Sequence, residues 1–530
     1  MSTLPVLFVG VLLANIDTMF LIACYPQISS ELHAFESGAW LLTSYMLAMC
    51  ATQPLYGKLS NIFGRKKLVI TTYLLYSLGS AICALAPKIN ILILGRAIAG
   101  TGGAGMVCLV SIIITDIVPL QDVALYRSYV NVIQTVGRSI GAPIGGLVVE
   151  RFGWRAAFAS VAPLSAAGAL LVALRLQLKS PHAEEEEILP STEGDSVDAK
   201  EKPSSWALLK RVDFLGSFWL SLSIVLLLLI FSFGGDKIAW TDYRLFLLVG
   251  GTLVSGAIFY ITERFVAAEP MFPPSILGIR AVVASYGLLF AQNAAQSIAT
   301  VSVPLFYQLL LSVGPSVGGV YLLSSVVGNT IGGLATGYYV KRTGKYRLPC
   351  IVSAASAATA YGLMFRRWRP DSPSFHPTLE NIYVFGGGLG TGMAHSSGFV
   401  VLTAGISAYI LGRGGSGKDL HDNIAIAGSG IYLSGSIGAT VGMSLSNALL
   451  RGVTTYSLAN SGLPGSELES VIKKALESIE WIEHLEPGTR LREIVMAAYM
   501  TGLRSTFLSA ALTSLFGLVM ALVVVEHPLG

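Results

Sequence analysis

Stretches of about 20 consecutive, mostly apolar residues recur from one end of this chain to the other. The charged residues are largely confined to the short segments between them. In hydrocarbon every peptide N–H and C=O must find its partner within the protein, so runs of this length cross a bilayer as helices. Composition agrees: 53% of the 530 residues are hydrophobic and 12% are charged, against roughly 25% charged in soluble domains. The net charge of +4 is modest, and the lysines and arginines form no basic stripe interleaved with aromatics, so no nucleic-acid footprint is present. The five cysteines (Cys24, Cys50, Cys83, Cys108 and Cys350) lie in apolar runs outside any Cys-x-x-Cys or Cys/His cluster. They read as soft packing residues, and neither a disulfide framework nor a metal site follows from them.

The first apolar run lacks the basic leader and small-residue cleavage site of a signal peptide and reads as a retained helix. Spans are expected near 4–24, 38–57, 68–87, 91–115, 129–150 and 154–174. Eight more are expected near 213–233, 244–264, 281–304, 316–340, 348–365, 381–411, 423–450 and 499–525. This makes an all-α polytopic membrane protein of 14 transmembrane helices, two six-helix bundles plus two extra helices. Residues 1–178 form the N-terminal bundle, 213–264 the two extra helices, and 281–530 the C-terminal bundle. Between the first two lies 179–212, whose Glu184–Glu187 run and its Pro, Ser and Asp residues cannot bury a core and read as a cytosolic linker.

Lysine and arginine in short loops set the expected orientation. Lys58, Arg65, Lys66 and Lys67 in 57–67, and Lys341, Arg342, Lys345 and Arg347 in 341–347, fall on one side, expected to be cytosolic with both termini. Arg366, Arg367 and Arg369 run against the rule. The outer loop 451–498 places Val471, Ile472, Ala475, Leu476, Ile479 and Ile482 at helical spacing. This suits either an amphipathic helix on the membrane surface or a lid packed over the bundle mouth.

An internal repeat is legible. Gly57 and Gly64 recur as Gly337 and Gly344, 280 residues later, each second glycine followed by a cation. SIGAPIGG (139–146) is echoed by SIGATVGM (436–443), and GAGM (103–106) by GTGM (390–393). All three echoes occur in order at equivalent helices, as in a duplicated bundle.

Several polar residues stand inside apolar runs. An uncompensated Asp17 costs several kcal/mol in the first span. Burial favours its protonated form, exchangeable with a cation, or a neutral carboxyl bonded to a neighbouring helix. Arg96 keeps its charge and must pair or face water, which suits coupling or gating. Asn131, Gln134 and Arg138 share a face of the fifth span, a cavity-lining strip or an interhelical bond. Gln292, Gln296 and Thr300 share a face of the ninth, beside Asn293, as substrate contacts or as polar glue. His395, in the twelfth, is a candidate proton carrier or a packing residue. Gly137, Gly141, Gly145 and Gly146 permit close helix contact, and Pro143 removes one backbone donor, so this segment is expected to act on conformational switching and not on substrate chemistry.

Two nucleotide-like motifs fail. GTGGAG (100–105) lies inside a span with no strand before it, and GRGGSGKD (412–419) has Asp419 where a magnesium-binding hydroxyl belongs. No catalytic cluster supports an enzyme.

GKLSNIFGRKK (57–67), ILGRAIAGTGGAG (93–105), GRSIGAPIGG (137–146) and GWRAAF (153–158) resemble signatures of the major facilitator superfamily. With NIDTMFLIACYPQIS (15–29) they are similar to its 14-span drug:proton antiporter branch. Within that branch the chain resembles the fungal vacuolar basic amino acid transporters. The resemblance implies antiport of lysine, arginine or histidine into the vacuole, driven by a proton gradient without a cofactor, by a monomer in the bilayer. The alternative it leaves is a proton-coupled multidrug exporter of the plasma membrane. It also marks Gly57, Asn61, Gly64 and Arg65 as a conformational switch. Asn61 stands where the family has Asp, so an ion pair across the helix ends is expected to be missing here.

Overall fold

The computed structural model describes residues 4–34, 37–38, 40–176, 211–234, 238, 242–267, 269–311, 315–369, 376–461, 465–477, 481–482, 485 and 489–529. Most of the expected linker, including the acidic run, lies outside these residues. Among the described residues, fourteen helices of 19 residues or more carry the fold. They are α1 (Leu4–Glu31), α2 (Trp40–Phe63), α3 (Arg65–Leu85), α4 (Ile89–Ile117), α5 (Leu120–Phe152) and α6 (Trp154–Arg175). After the linker come α7 (Phe214–Phe233) and α8 (Tyr243–Ile261). The last six are α9 (Arg280–Leu311), α10 (Leu323–Thr343), α11 (Arg347–Arg367), α12 (Ile382–Leu411), α13 (Gly417–Ala459) and α14 (Arg490–Val523). Thirteen of these helices, among the described residues, are both long and apolar enough to cross a membrane. The remaining one, α2, has the length, but Ser44, Thr52, Gln53, Ser60 and Asn61 lower its hydropathy; Ser44, Gln53 and Ser60 are buried in protein.

The bundles share one packing plan. In the first, α1 lies on α5, α2 on α4, and α3 on α4 and α6. In the second, α9 lies on α13, α10 on α12, and α11 on α12 and α14. The bundles meet where α2 crosses α13 and α5 crosses α10, so each partner pair is the image of the other. The repeated glycines make these approaches. A Cβ on Gly57 would stand 2.6 Å from the Ala425 carbonyl oxygen of α13, and one on Gly337 would stand 2.8 Å from Leu125 Cα of α5. Gly64 (φ 85°) and Gly344 (φ 67°) then turn the chain in a conformation that L side chains disfavour.

Helix α7 touches both bundles: Ile224 and Leu228 pack with Cys50 of α2 and with Leu433 and Ile437 of α13. Its partner α8 leaves Phe246, Leu247 and Leu253 about two-thirds exposed, as lipid-facing side chains are (66%, 68% and 69%). At the basic-loop end Glu269, just after α8, holds Arg211 (2.8 Å) and Lys58 of α2 (3.0 Å).

Helix ends differ from the expected spans because hydropathy windows stop at charges, whereas a helix continues into water where charges are hydrated. Helix α1 runs to Glu31, α5 begins at Leu120 rather than near 129, α13 ends at Ala459 and α14 begins at Arg490. The outer loop expected at 451–498 therefore shortens to 460–489. Its helix Gly465–Glu477 packs on protein: Val471 and Ala475 are buried, and Tyr499 Oη donates to the Ala475 carbonyl at 2.6 Å. Ile479 lies outside the described residues. Arg367, against the charge rule, is paired with Glu380 at 2.9 Å. The nucleotide-like GRGGSGKD is a helix start, with Ser416 and Asp419 forming a capping box on α13.

Candidate functional site

The first bundle contains a charged pair with almost no access to water. Arg96 Nη1 of α4 donates to Asp17 Oδ2 of α1 at 2.6 Å, and both side chains are 1% exposed. The guanidinium also stacks over the Tyr45 ring of α2, 4.3 Å from its centroid. Asp17 thus bonds to a neighbouring helix, and its partner there is a cation. Removing two charges from water is repaid only when they pair closely, as here. The satisfaction is incomplete: Asp17 Oδ1 and Arg96 Nε and Nη2 are buried without a hydrogen-bond partner.

A polar strip runs along α5. Arg127, Asn131, Gln134 and Arg138 follow at intervals of four, three and four residues, which places them on one face. Arg138 Nε donates to Asn15 Oδ1 of α1 at 2.9 Å, while Asn15 Nδ2 is anchored on the Val11 carbonyl at 2.8 Å. Arg138 is exposed although it sits mid-helix. Asn131 Nδ2 crosses to the second bundle, donating to Asn329 Oδ1 of α10 at 2.7 Å, and Thr135 Oγ1 donates to the same atom at 3.1 Å. Gln134 is buried.

Arg127, which precedes the span expected at 129–150, belongs to α5 and is buried between the bundles. Its Nη1 donates to Ser111 of α4 and Tyr432 of α13, and its guanidinium lies 4.4 Å from the Phe399 ring centroid of α12. Half-buried His395 of α12 is within the electrostatic reach of both Arg127 and Arg138. The structure therefore brings His395 toward the Arg138 strip.

The α9 residues divide. Gln296 is part of a network: its Nε2 donates to Ser325 Oγ at 2.9 Å, and its Oε1 accepts from Thr391 Oγ1 at 3.2 Å and Tyr361 Oη at 3.4 Å. Gln292 is fully buried, with neither amide atom bonded, and its Nε2 lies toward Gly517 of α14. Asn293 Nδ2 donates to the Leu289 carbonyl, and Thr300 Oγ1 to that of Gln296. Gln296 thus ties α9 to α10, α11 and α12.

At the basic-loop end, Arg65 Nε donates to Asp116 Oδ2 of α4 at 2.9 Å, and its Nη1 donates to Ser60 Oγ and to Asn61 Oδ1. Asn61 Nδ2 crosses to α13, donating to the Asp422 carbonyl at 3.2 Å. Asn61 therefore does bridge the bundles, and Asp116 supplies the carboxylate that Asn61 lacks. Nearby, His421 Nδ1 of α13 lies 3.4 Å from Asp116, and Lys341 of α10 pairs with Asp122 of α5 at 3.0 Å. Ser429 Oγ donates to the Pro54 carbonyl at 3.0 Å, and Ser436 Oγ to Gln53 Oε1 at 3.3 Å. These bonds join the two bundles along α2–α13 and α5–α10, toward the basic-loop end.

The glycines of 137–146 also separate. Gly137, Gly141 and Gly145 face α1, where a Cβ on Gly141 would stand 2.6 Å from the Ile16 carbonyl oxygen. Gly146 faces open space and Pro143 is exposed. The second-half echo behaves alike, Gly438 and Gly442 seating α13 against Phe290 and Ala294 of α9. Among the described residues no group of His, Cys, Asp and Glu is placed to hold a metal ion.

Asp116, Arg127, Asn15 and Asn329 are missing from the sequence-derived set. Arg127 had a signal, since it continues the spacing of 131, 134 and 138 by one turn. Asp116 and Asn329 had none: their partners are 51 and 198 residues away in sequence.

The family model of the Major Facilitator Superfamily matches residues 7–439. The multidrug resistance protein fnx1 of Schizosaccharomyces pombe is 29% identical over 531 residues, covering 97% of this chain and 91% of its own. The vacuolar membrane amino acid uptake transporter fnx2 of the same yeast is 29% identical over 514 residues, covering 96% and 81%. The efflux pump dotC of Dothistroma septosporum is 26% identical, covering 79% and 67%. Among solved structures, the human organic anion transporter MFSD10 superposes with a TM-score of 0.57 at 13% identity, covering 98% of each chain. The proton:xylose symporter XylE gives 0.53 at 13% identity, covering 96% and 94%. At such identities the likeness is one of fold.

Proposed function

The chain belongs to the major facilitator superfamily, and from that premise we propose that it is a proton-coupled antiporter of amino acids. Its cargo is first of all lysine, arginine and histidine, moved from the cytosol into the vacuole. The observation that carries this reading is the sealed Asp17–Arg96 pair in the first bundle. A proton arriving at Asp17 cancels the attraction that holds Arg96, which changes the packing of α1 on α4. Asp17 Oδ1, buried without a partner, is the atom at which a proton or the ammonium of a cargo is taken. The fnx2 relative supports the cargo class and the membrane.

Alternating access follows from the repeat. The bundles rock about α2–α13 and α5–α10, where the paired glycines keep helix backbones in sliding contact. Closure at the basic-loop end exposes the centre to the lumen; opening there returns it to the cytosol. Asn61, Asp116 and Arg65 hold the closed end, and the gradient supplies the energy.

The test is uptake of labelled lysine, arginine and histidine into proteoliposomes with an acidic interior. Uptake that needs the gradient and stops when it is collapsed supports the reading; gradient-independent equilibration overturns it. The second reading, a multidrug exporter of the plasma membrane, is favoured by the fnx1 relative. Drug-resistance assays with competing lysine separate the two, because a drug site in that reading is indifferent to lysine.

A further inference from the structure

The charges at the centre of the molecule do not balance. Asp17 is committed to Arg96. Arg127 and Arg138, both on the strip of α5 that faces the second bundle, form no ion pair with a carboxylate among the described residues. Their environments differ. Arg127 is buried and pinned, its Nη1 shared by Ser111 and Tyr432 and its face covered by Phe399 and Tyr432. Arg138 commits Nε alone, to the neutral Asn15 Oδ1, and its side chain is exposed in the middle of a membrane-crossing helix. His395 from the opposite bundle is within the electrostatic reach of both arginines. A guanidinium at membrane depth is costly unless it faces water or meets an anion. Its remaining donors form a planar fork that fits the two oxygens of a carboxylate.

We propose that Arg138, oriented by Asn15 and exposed between the bundles, is the subsite for the carboxylate of the cargo. This deepens the reading of the chain as an amino-acid antiporter and rests on it. Every amino acid presents that carboxylate, so Arg138 contributes affinity for the class, and selection among side chains belongs to other residues. The positive centre also disfavours a purely cationic compound lacking an anion, which a site for lipophilic cations would accept.

The experiment is thermal unfolding of the purified full-length chain in detergent, titrated separately with lysine, lysinamide, cadaverine and tetraphenylphosphonium. Lysinamide and cadaverine keep the positive charges of lysine without its carboxylate. Lysine is expected to raise the melting temperature, and lysinamide and cadaverine to fall short of it. In Arg138→Gln the half-effect concentration of lysine is expected to rise about tenfold to hundredfold, the range for bonds to a charged group. Arg138→Lys, which keeps the charge without the fork, is expected between the two. Should Arg138→Gln fail to fold, the comparison of lysine with lysinamide on the unaltered chain decides alone. Equal responses to lysine and lysinamide, or an unchanged lysine response in a folded Arg138→Gln, overturn the subsite and leave amino-acid transport standing. A response to tetraphenylphosphonium alone, or to no probe, overturns both.

Discussion

Arg96 Nη1 stands 2.6 Å from Asp17 Oδ2, and neither side chain keeps more than 1% of its surface exposed. Breaking such a pair from one side leaves a buried charge with no counterion, at a cost of about 3–5 kcal/mol. Asp17→Asn is therefore expected to lower the melting temperature sharply and to abolish gradient-driven transport. Asp17→Asn combined with Arg96→Met removes both charges, so stability should largely return while transport stays absent. Melting curves and uptake measured on the same preparations separate the structural part of the pair from its coupling role. A double variant that regains transport would show the pair to be only structural.

The closed basic-loop end depends on Asp116 more than on Asn61. Asp116→Asn takes the carboxylate from Arg65, and transport should slow on the order of tenfold, equivalent to about 1.4 kcal/mol. Asn61 Oδ1 already accepts from Arg65 Nη1, so Asn61→Asp added to Asp116→Asn places a carboxylate where Arg65 reaches it. Partial recovery of the initial uptake rate is the expected result. No recovery would mean that Asp116 acts through His421 instead.

Gly57 and Gly337 make equivalent approaches in the two halves, so enlarging either should have the same consequence. A Cβ at Gly57 meets backbone atoms of Ala425 and Ile426, and one at Gly337 meets those of Leu125 and Ala124, all at 3.0 Å or less. Gly57→Leu and Gly337→Leu should each wedge the basic-loop end open and reduce transport by at least about tenfold. A cysteine placed at Ser436 should then react with a membrane-impermeant maleimide from that side. In the unaltered closed state it should be protected.

The contact of the extra helices with α2 should depend on pH. The Arg211 guanidinium bonded to Glu269 holds its carboxyl below the usual carboxylate range, with Lys58 adding to the effect. A depressed native pKa stabilises the fold above the unfolded value, about 4.3 for glutamate. That contribution is lost as pH falls through the native value. Glu269→Gln should accordingly lower the melting temperature modestly at neutral pH, since the carboxylate is partly exposed. The gap to the unaltered chain should close in acid. A gap that widens in acid would contradict the assignment.

The helical architecture was legible because hydrocarbon leaves few alternatives: apolar length marks thirteen of the long helices, and α2, the least apolar, still stands out as a run of about 20 residues with few charges. Two of the three sequence echoes survive as structure: Gly57 and Gly337 make matching approaches, and Gly141 and Gly145 do for α1 what Gly438 and Gly442 do for α9. In the third, Gly103 meets Tyr45 of α2, whereas its echo Gly390 meets Ser353 of α11. Helix ends were less legible. The start of α5 was missed by about nine residues, because Asp122 and Arg127 interrupt the apolar run. That error hid Arg127, which is buried by contacts from α4, α12 and α13 that no local window contains. Asp17 and Arg96 were each recognised as out of place in hydrocarbon, but their pairing is a matter of helix packing across 79 residues. The Asn61 substitution misled for a similar reason, since the compensating Asp116 comes from another helix.

The central claim is that protons move in exchange for cargo through Asp17. The direct measurement is internal pH in proteoliposomes loaded with a pH-sensitive dye, followed as lysine is added outside. Antiport predicts that lysine entry drives protons out and the interior becomes alkaline, with no such change in Asp17→Asn. Lysine uptake without a pH change, or an Asp17→Asn response equal to that of the unaltered chain, would contradict the account.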